Sequence, residues 1–111
     1  MPAGQVFEIA ELIAQQKERE ELWFEFLRVP RLYSGLYVLP AGTKDPQQPH
    51  ADDEVYYVVK GRGVIQVEGT DMPVQEGSVA YVPADAKHHF HSITEDLTLL
   101  VFFEASGSSA E

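Results

Sequence analysis

Short apolar runs broken by Gly, Pro and Asp recur along most of the chain. Runs of this length, with turn-forming residues at roughly every tenth position, predict an all-β sandwich or barrel. The predicted strands are residues 22–29, 33–39, 54–60, 64–68, 79–82, 88–92 and 97–104. Turns are expected at Pro40–Gly42, Gly61–Gly63 and Gly69–Asp71. No long helical pattern separates the runs, which argues against a parallel α/β fold.

The N-terminal residues follow a different period. Apolar side chains recur at helical spacing from Phe7 to Ile13, and this predicts an amphipathic helix over residues 7–17. The charged run Lys17–Glu21 should end it, because glutamates are unfavourable at a helix C-terminus. The sequence therefore divides into a helical segment (1–21), a barrel (22–105) and a flexible tail (106–111).

The run Val55–Val59 is apolar on both of its alternating faces. A strand of this kind must be covered on both sides. One face can line the interior of a barrel, and the other must meet either the N-terminal helix or a second subunit. We therefore predict a homodimer.

Composition narrows the classes of function. A chain of 111 residues is one domain, and its net charge of −10 disfavours nucleic acid and anionic membranes as partners. The absence of cysteine excludes disulfides, thiolate metal sites and thiol nucleophiles. The longest apolar stretch, Leu97–Phe103, is too short to span a bilayer, and the N-terminus lacks a basic signal-peptide region. We expect a soluble, cytoplasmic protein.

Two spaced groups of polar residues carry the candidate chemistry. The first reads Gly42, five residues, Gln48-Pro49-His50, three residues, Glu54, six residues, Gly61. The second reads Gly77, five residues, Pro83-Ala84-Asp85, two residues, His88, three residues, Ser92. Gln48, His50 and Glu54 have the same parity on an extended chain, so their side chains can share a face. In the run His88–His91, His88 and Phe90 share one face while His89 and His91 share the other, facing solvent or an interface.

This spacing resembles the two signature motifs of the cupin superfamily, in particular its small single-domain bacterial members. Three positions depart from the family pattern: Gln48 replaces a histidine, Asp85 a glycine and Ser92 an asparagine. Asp tolerates left-handed turn geometry, so Asp85 should not disturb the fold. The resemblance implies a double-stranded β-helix, or jelly-roll barrel, behind a short N-terminal α-helix.

The resemblance also implies one divalent first-row metal (Fe, Mn, Ni, Co or Zn) in the barrel lumen, held by His50, Glu54 and His88. Gln48 would lie beside it, either as a weak neutral ligand or hydrogen-bonded to a bound water. Without a metal, the same residues would form a hydrogen-bonded polar cluster. Aromatic residues are candidates for the pocket wall or, alternatively, for plain core packing: Tyr56, Tyr81, Phe90 and Phe102.

For function, the resemblance implies a metal-dependent enzyme of the dioxygenase or isomerase/lyase type, acting on a small polar or aromatic molecule. The alternatives are a non-catalytic barrel that binds a small ligand and a purely structural barrel.

Overall fold

The computed structural model describes residues 4–46 and 51–105. Its elements are α1 (Ile9–Lys17), β1 (Trp23–Val29), β2 (Leu32–Leu39), β3 (Glu54–Val67), β4 (Thr70–Gln75), β5 (Val79–Val82) and β6 (His88–Glu104). The predicted all-β class with a short N-terminal helix is confirmed. Within the described residues, no helix is long and apolar enough to cross a membrane.

All the strand pairs are antiparallel, in the order β1-β2-β6-β3-β4. β3 is paired on both edges along most of its length. β6 lies along one edge, and on the other β5 pairs with Glu54–Tyr57 and β4 with Arg62–Val67. The first residues of β3 are therefore held firmly between two neighbours.

The two longest strands are each continuous where the sequence predicted a break. The predicted turn at Gly61–Gly63 is wrong, because β3 continues through it to Val67. The predicted gap between residues 92 and 97 is also wrong, because β6 runs unbroken. The β3–β6 pairing shifts register at three places between Val58 and Val64. Such bulges bend a strand without removing it from the sheet, which explains why turn-forming residues occur inside a strand.

Strand β4 was not predicted. Its sequence contains Asp71 and Pro73, both of which disfavour strands. It lies at the end of the strand order, where proline is tolerated because one edge needs no ladder hydrogen bonds. Pairing with β3, rather than local propensity, makes this segment a strand.

The core lies on the inner side of the curled sheet, and a smaller cluster lies on the outer side. The inner cluster includes the fully buried Tyr56, Phe90, Leu39, Leu97 and Leu99. The outer cluster joins Leu12 of α1 to Phe24 of β1 and Leu36 of β2. The helix thus covers the β1–β2 part of the outer face.

Candidate metal site

Glu54 and His88 meet inside the barrel. Nε2 of His88 lies 3.0 Å from Oε1 of Glu54, and both side chains are 1% exposed. In the β3–β6 ladder, however, His88 pairs with Val67, at the opposite end of β3 from Glu54. A straight strand of 14 residues would separate those ends by roughly 40 Å. The bend in β3 therefore brings the two side chains together.

The protonation of His88 is fixed at one ring nitrogen. Its Nδ1 donates a hydrogen bond to the carbonyl oxygen of Ala86 at 2.9 Å, because a carbonyl can only accept. In the neutral ring, Nε2 then carries a lone pair aimed at the Glu54 carboxylate. Two acceptors at 3.0 Å need either a proton or a cation between them.

The surroundings of His88 act on its pKa in opposite directions. Burial, the largest single influence, lowers the pKa. The hydrogen bonds to Glu54 and to the Ala86 carbonyl, with the negative charge of Glu54, more than offset burial, so the pKa is raised. Without a metal, the site therefore favours an imidazolium paired with a carboxylate.

The second oxygen of Glu54 is buried and has no hydrogen-bond partner among residues 4–46 and 51–105. Burying a carboxylate oxygen without a donor is costly, and such atoms in native proteins usually mark an ion, a water or a functional role. Carboxylate and imidazole donors suit a divalent first-row metal. The described part of the site thus fits the metal that the motif implies.

Of the four predicted ligands, the structure brings together Glu54 and His88. Gln48 and His50 lie outside the described residues. Over residues 4–46 and 51–105, no group of three or more His, Cys, Asp or Glu side chains is arranged to hold a metal. The Glu54–His88 pair is therefore the part of the predicted metal site that the described residues form.

Two of the four predicted pocket residues face the interior. The hydroxyl of Tyr56 lies 3.2 Å from Nε2 of His88, and its ring meets Phe90 edge-on at 5.0 Å between centroids. Tyr81 and Phe102 instead lie on the outer face and are exposed. Strand alternation explains this, because their neighbours Val82 and Phe103 point inward and are buried.

The alternation predicted for the second motif is present in the structure. His88 and Phe90 are buried, whereas His89 and His91 are only partly buried on the opposite face. Nε2 of His91 lies 2.9 Å from Oδ1 of Asp71. The hydrogen bond from His91 is the main cause of a lowered Asp71 pKa.

Asp45, which the sequence did not single out, fastens the loop after β2 to the barrel wall. The hydroxyl of Tyr37 donates to Oδ1 of Asp45 at 2.5 Å, and the backbone N–H of Phe90 donates to Oδ2 at 2.8 Å. Burial, followed by the hydrogen bond to Asp45, raises the pKa of Tyr37 far above its usual range. The charge of Asp45 also contributes to the raised pKa of His88.

Asp53, which directly precedes β3, has a structural role. Its Oδ1 accepts hydrogen bonds from the Ala84 N–H at 2.8 Å and from the Tyr81 hydroxyl at 3.2 Å. These bonds tie the start of β3 to the turn that precedes His88. Asp85 in that turn has φ of 66°, the left-handed geometry expected there. No local sequence pattern identifies partners so far apart in the chain.

Comparison with known proteins identifies the family. The family model described as "Cupin domain" matches residues 35–103. The chain therefore belongs to the cupin family, and the antiparallel sheet described above is its barrel. An uncharacterized protein of Streptomyces coelicolor is 48% identical over 97 residues, covering 87% of this chain and 92% of that protein.

Two further similarities are more distant. Acireductone dioxygenase of Bacillus cereus is 37% identical over 46 residues, covering 37% of this chain and 27% of that enzyme. The crystal structure of TT1209 from Thermus thermophilus superimposes with a TM-score of 0.72 at 23% identity, covering 89% of this chain and 95% of that chain. The latter similarity concerns the fold alone.

Proposed function

We propose that this protein is a metal-dependent cupin enzyme of the dioxygenase or isomerase/lyase type, acting on a small molecule in the barrel lumen. The observation that carries the proposal is the buried Glu54–His88 pair, whose carboxylate keeps one oxygen without a hydrogen-bond partner in the described part of the chain. Glu54 and His88 would hold one divalent first-row metal, and the motif adds His50 and Gln48. Partial similarity to acireductone dioxygenase supports the oxygenase branch.

A bound metal would supply Lewis-acid polarisation of a carbonyl or, if redox-active, a route to O₂ chemistry. The protein's own contribution begins with Tyr56. Its hydroxyl lies 3.2 Å from Nε2 of His88 and is buried, so it can hold or deliver a proton at the phenolic oxygen. Edge-on packing against Phe90 fixes the ring that carries this hydroxyl.

The architecture also protects the chemistry from water. Val82 and Val101 flank Glu54 and Tyr56 in the ladder and are almost completely buried. Asp45 holds the loop after β2 against β6, and this keeps that side of the barrel in place. Together with the net charge of −10, the carboxylates of Glu54 and Asp45 favour entry of cations and of neutral substrates over anions.

Metal binding can be tested with matched variants. Protein stripped with EDTA should take up about one equivalent of Mn²⁺ in a calorimetric titration. Glu54→Gln keeps the shape but removes the anionic charge, and His88→Gln removes the imidazole, so each should weaken binding by more than about a hundredfold. His89→Gln is the control, because the adjacent His89 lies on the other face of β6 and should leave binding unchanged. A wild-type protein that binds neither Mn²⁺, Fe²⁺, Ni²⁺ nor Zn²⁺ would refute the proposal.

Exchanging the metal can distinguish dioxygenase chemistry from isomerase or lyase chemistry. Iron-loaded and zinc-loaded proteins would be incubated with a panel of small enediols and hydroxyketones while O₂ and products are followed. O₂ uptake with iron alone would support the dioxygenase type, and turnover with zinc would support an isomerase or lyase. A ligand that raises the melting temperature without turnover under either metal would support the alternative, a non-catalytic binding barrel.

A further inference from the structure

Two histidines on the outer face of β6 are not used by the site proposed in the lumen. His89 and His91 occupy alternate positions of the strand, so their side chains share a face and their Cα atoms are about 6.6–6.8 Å apart. Both are partly buried, and they pair with Gln66 and Val64 of β3 in a stretch of regular register. The sheet itself therefore holds the two imidazoles side by side.

The two rings have the spacing of neighbouring ligands on one metal ion. Their centroids are 5.4 Å apart, and the rings are inclined to each other by 39°. With a metal–nitrogen bond of about 2.0–2.1 Å, the centroid of a ligating imidazole lies about 3.2 Å from the metal. Two such ligands at about 90–110° to each other have centroids about 4.5–5.3 Å apart. The observed separation of the rings thus needs only a small torsional adjustment.

Asp71 on β4 places a carboxylate at the tip of the His91 ring. Oδ1 of Asp71 lies 2.9 Å from Nε2 of His91, and the ring N–H donates to it because a carboxylate can only accept. The side-chain amide of Gln66 donates to the same oxygen at 2.9 Å and holds the carboxylate in place. Two neighbouring ligand atoms on one metal ion are themselves about 2.9–3.4 Å apart. A metal ion can therefore replace the proton between His91 and Asp71 without a shift of either strand.

The ring of His89 has to move before all three donors reach one ion. Over the residues that the structure describes, no three histidine or acidic side chains surround a common point. His89 is only partly buried and its ring already neighbours that of His91, so rotation of the side chain suffices and the backbone can stay in place. Such a site closes when the ion binds.

From this arrangement we propose a metal site on the outer face, separate from the lumen, in which His89, His91 and Asp71 bind one Ni²⁺, Cu²⁺ or Zn²⁺ ion. Two imidazoles and a carboxylate suit these ions, whereas Mn²⁺ is the weakest binder of the divalent series and leaves the outer site unfilled. The net charge of −10 attracts cations to the surface. The bound ion joins β4 to β6 across β3, and it thereby stabilises the attachment of the edge strand β4.

Calorimetric titration with Ni²⁺ would count the sites. Protein stripped with EDTA should bind one equivalent of Ni²⁺ more than His91→Gln, whether or not the lumen also binds a metal. His89→Gln and Asp71→Asn should each weaken binding at the outer site by at least about tenfold. Glu76→Gln is the control, because Glu76 is an exposed acid just after β4 and outside the cluster. All four positions are on the surface, and circular dichroism would verify that the variants fold.

Thermal unfolding would test the connection between the strands. Ni²⁺ at about ten times its dissociation constant for the outer site should raise the melting temperature of the wild type by about 6 °C more than that of His91→Gln. Equal Ni²⁺ stoichiometry in the wild type and His91→Gln would overturn the site, and unchanged affinity in Asp71→Asn would overturn the role of the carboxylate. Loss of the same equivalent in Glu76→Gln would show general binding to an acidic surface and would also overturn the site. Each comparison holds for a lumen with or without metal, so this proposal and the proposed function fail independently.

Discussion

Gly61→Ala should be among the most damaging single changes in this protein, although it adds only one methyl group. Gly61 has φ of +105°, which side-chain-bearing residues rarely adopt. A Cβ at this position would lie 2.1 Å from the carbonyl oxygen of Asp96 and 2.8 Å from Cα of Leu97. The neighbouring atoms are backbone of β6, so no side-chain rotation can relieve the collision.

The loss of stability in Gly61→Ala follows from these distances. To reach 3.4 Å, the lower limit of ordinary contact, the Asp96 carbonyl would have to retreat by about 1.3 Å (3.4 − 2.1). The left-handed backbone costs about 1–2 kcal/mol, and overpacking a well-packed site costs about 1–3 kcal/mol more. The expected loss is therefore about 2–5 kcal/mol, a large share of the roughly 5–15 kcal/mol that stabilises a typical domain.

Gly69→Ala provides a matched control. Gly69 also has a positive φ, +83°, but an added Cβ would meet nothing within 4 Å. This variant should lose only the backbone contribution of about 1–2 kcal/mol. At about 4 °C per kcal/mol, the melting temperature should fall by roughly 8–20 °C in Gly61→Ala and 4–8 °C in Gly69→Ala.

Thermal and urea unfolding followed by circular dichroism in EDTA would measure both losses without a contribution from metal. A second measurement concerns the site, since the bend around Gly61 brings Glu54 to His88. Folded Gly61→Ala protein should bind Mn²⁺ more weakly than Gly69→Ala protein. Equal losses of stability in the two variants would refute the argument that position 61 requires glycine because the backbone of β6 approaches it closely.

Three further outcomes are expected. Tyr56→Phe removes only the hydroxyl and keeps the packing on Phe90, so elemental analysis should find wild-type metal content; loss of metal would make Tyr56 part of the ligand set. Leu12→Ala should lower the free energy of unfolding by about 2–4 kcal/mol in a urea titration, because the residue is buried under the sheet; a loss below about 1 kcal/mol would mean that the helix contributes little. His91→Gln should return the lowered pKa of Asp71 towards 3.8, as followed by carboxyl NMR, because it removes the main hydrogen bond. Since the Asp71 pKa is lowered by folding, its contribution to stability is present above pH 3.8 and is lost as the pH falls through the folded pKa; an unchanged titration midpoint in His91→Gln would argue against the hydrogen bond in solution.

Periodicity predicted the all-β class and the N-terminal helix correctly. Alternation put His88 and Phe90 on one face of their strand, and the resemblance to cupins, which rests on the motif spacing, assigned Glu54 and His88 to the barrel interior. Prediction failed where pairing between strand segments far apart in the sequence overrides the local conformational preference of the residues. Gly61 indicates a turn in isolation, yet it permits a bend inside a continuous strand because β6 holds both halves.

Other features depended on three-dimensional proximity alone. Asp45 and Asp53 look like ordinary loop acids, and their partners Phe90 and Ala84 are far away in sequence. Tyr81 and Phe102 have the composition of pocket residues, but strand parity placed them on the opposite face. Parity could have been applied to them in the sequence, as it was to His89, since each directly neighbours an apolar residue that needs burial.

The order of the strands has a consequence for folding kinetics. β1 with β2, and β3 with β4, can pair through short connections, but they form two separate halves. β6, the last strand in the sequence, lies between β2 and β3 and joins them through contacts of high sequence separation. Closing such long loops is slow, and the apolar interior stays open to solvent until it happens. Since β6 also carries His88, the Glu54–His88 pair can form only when β6 has joined the two halves, so closure of the core and assembly of the site belong to the same step.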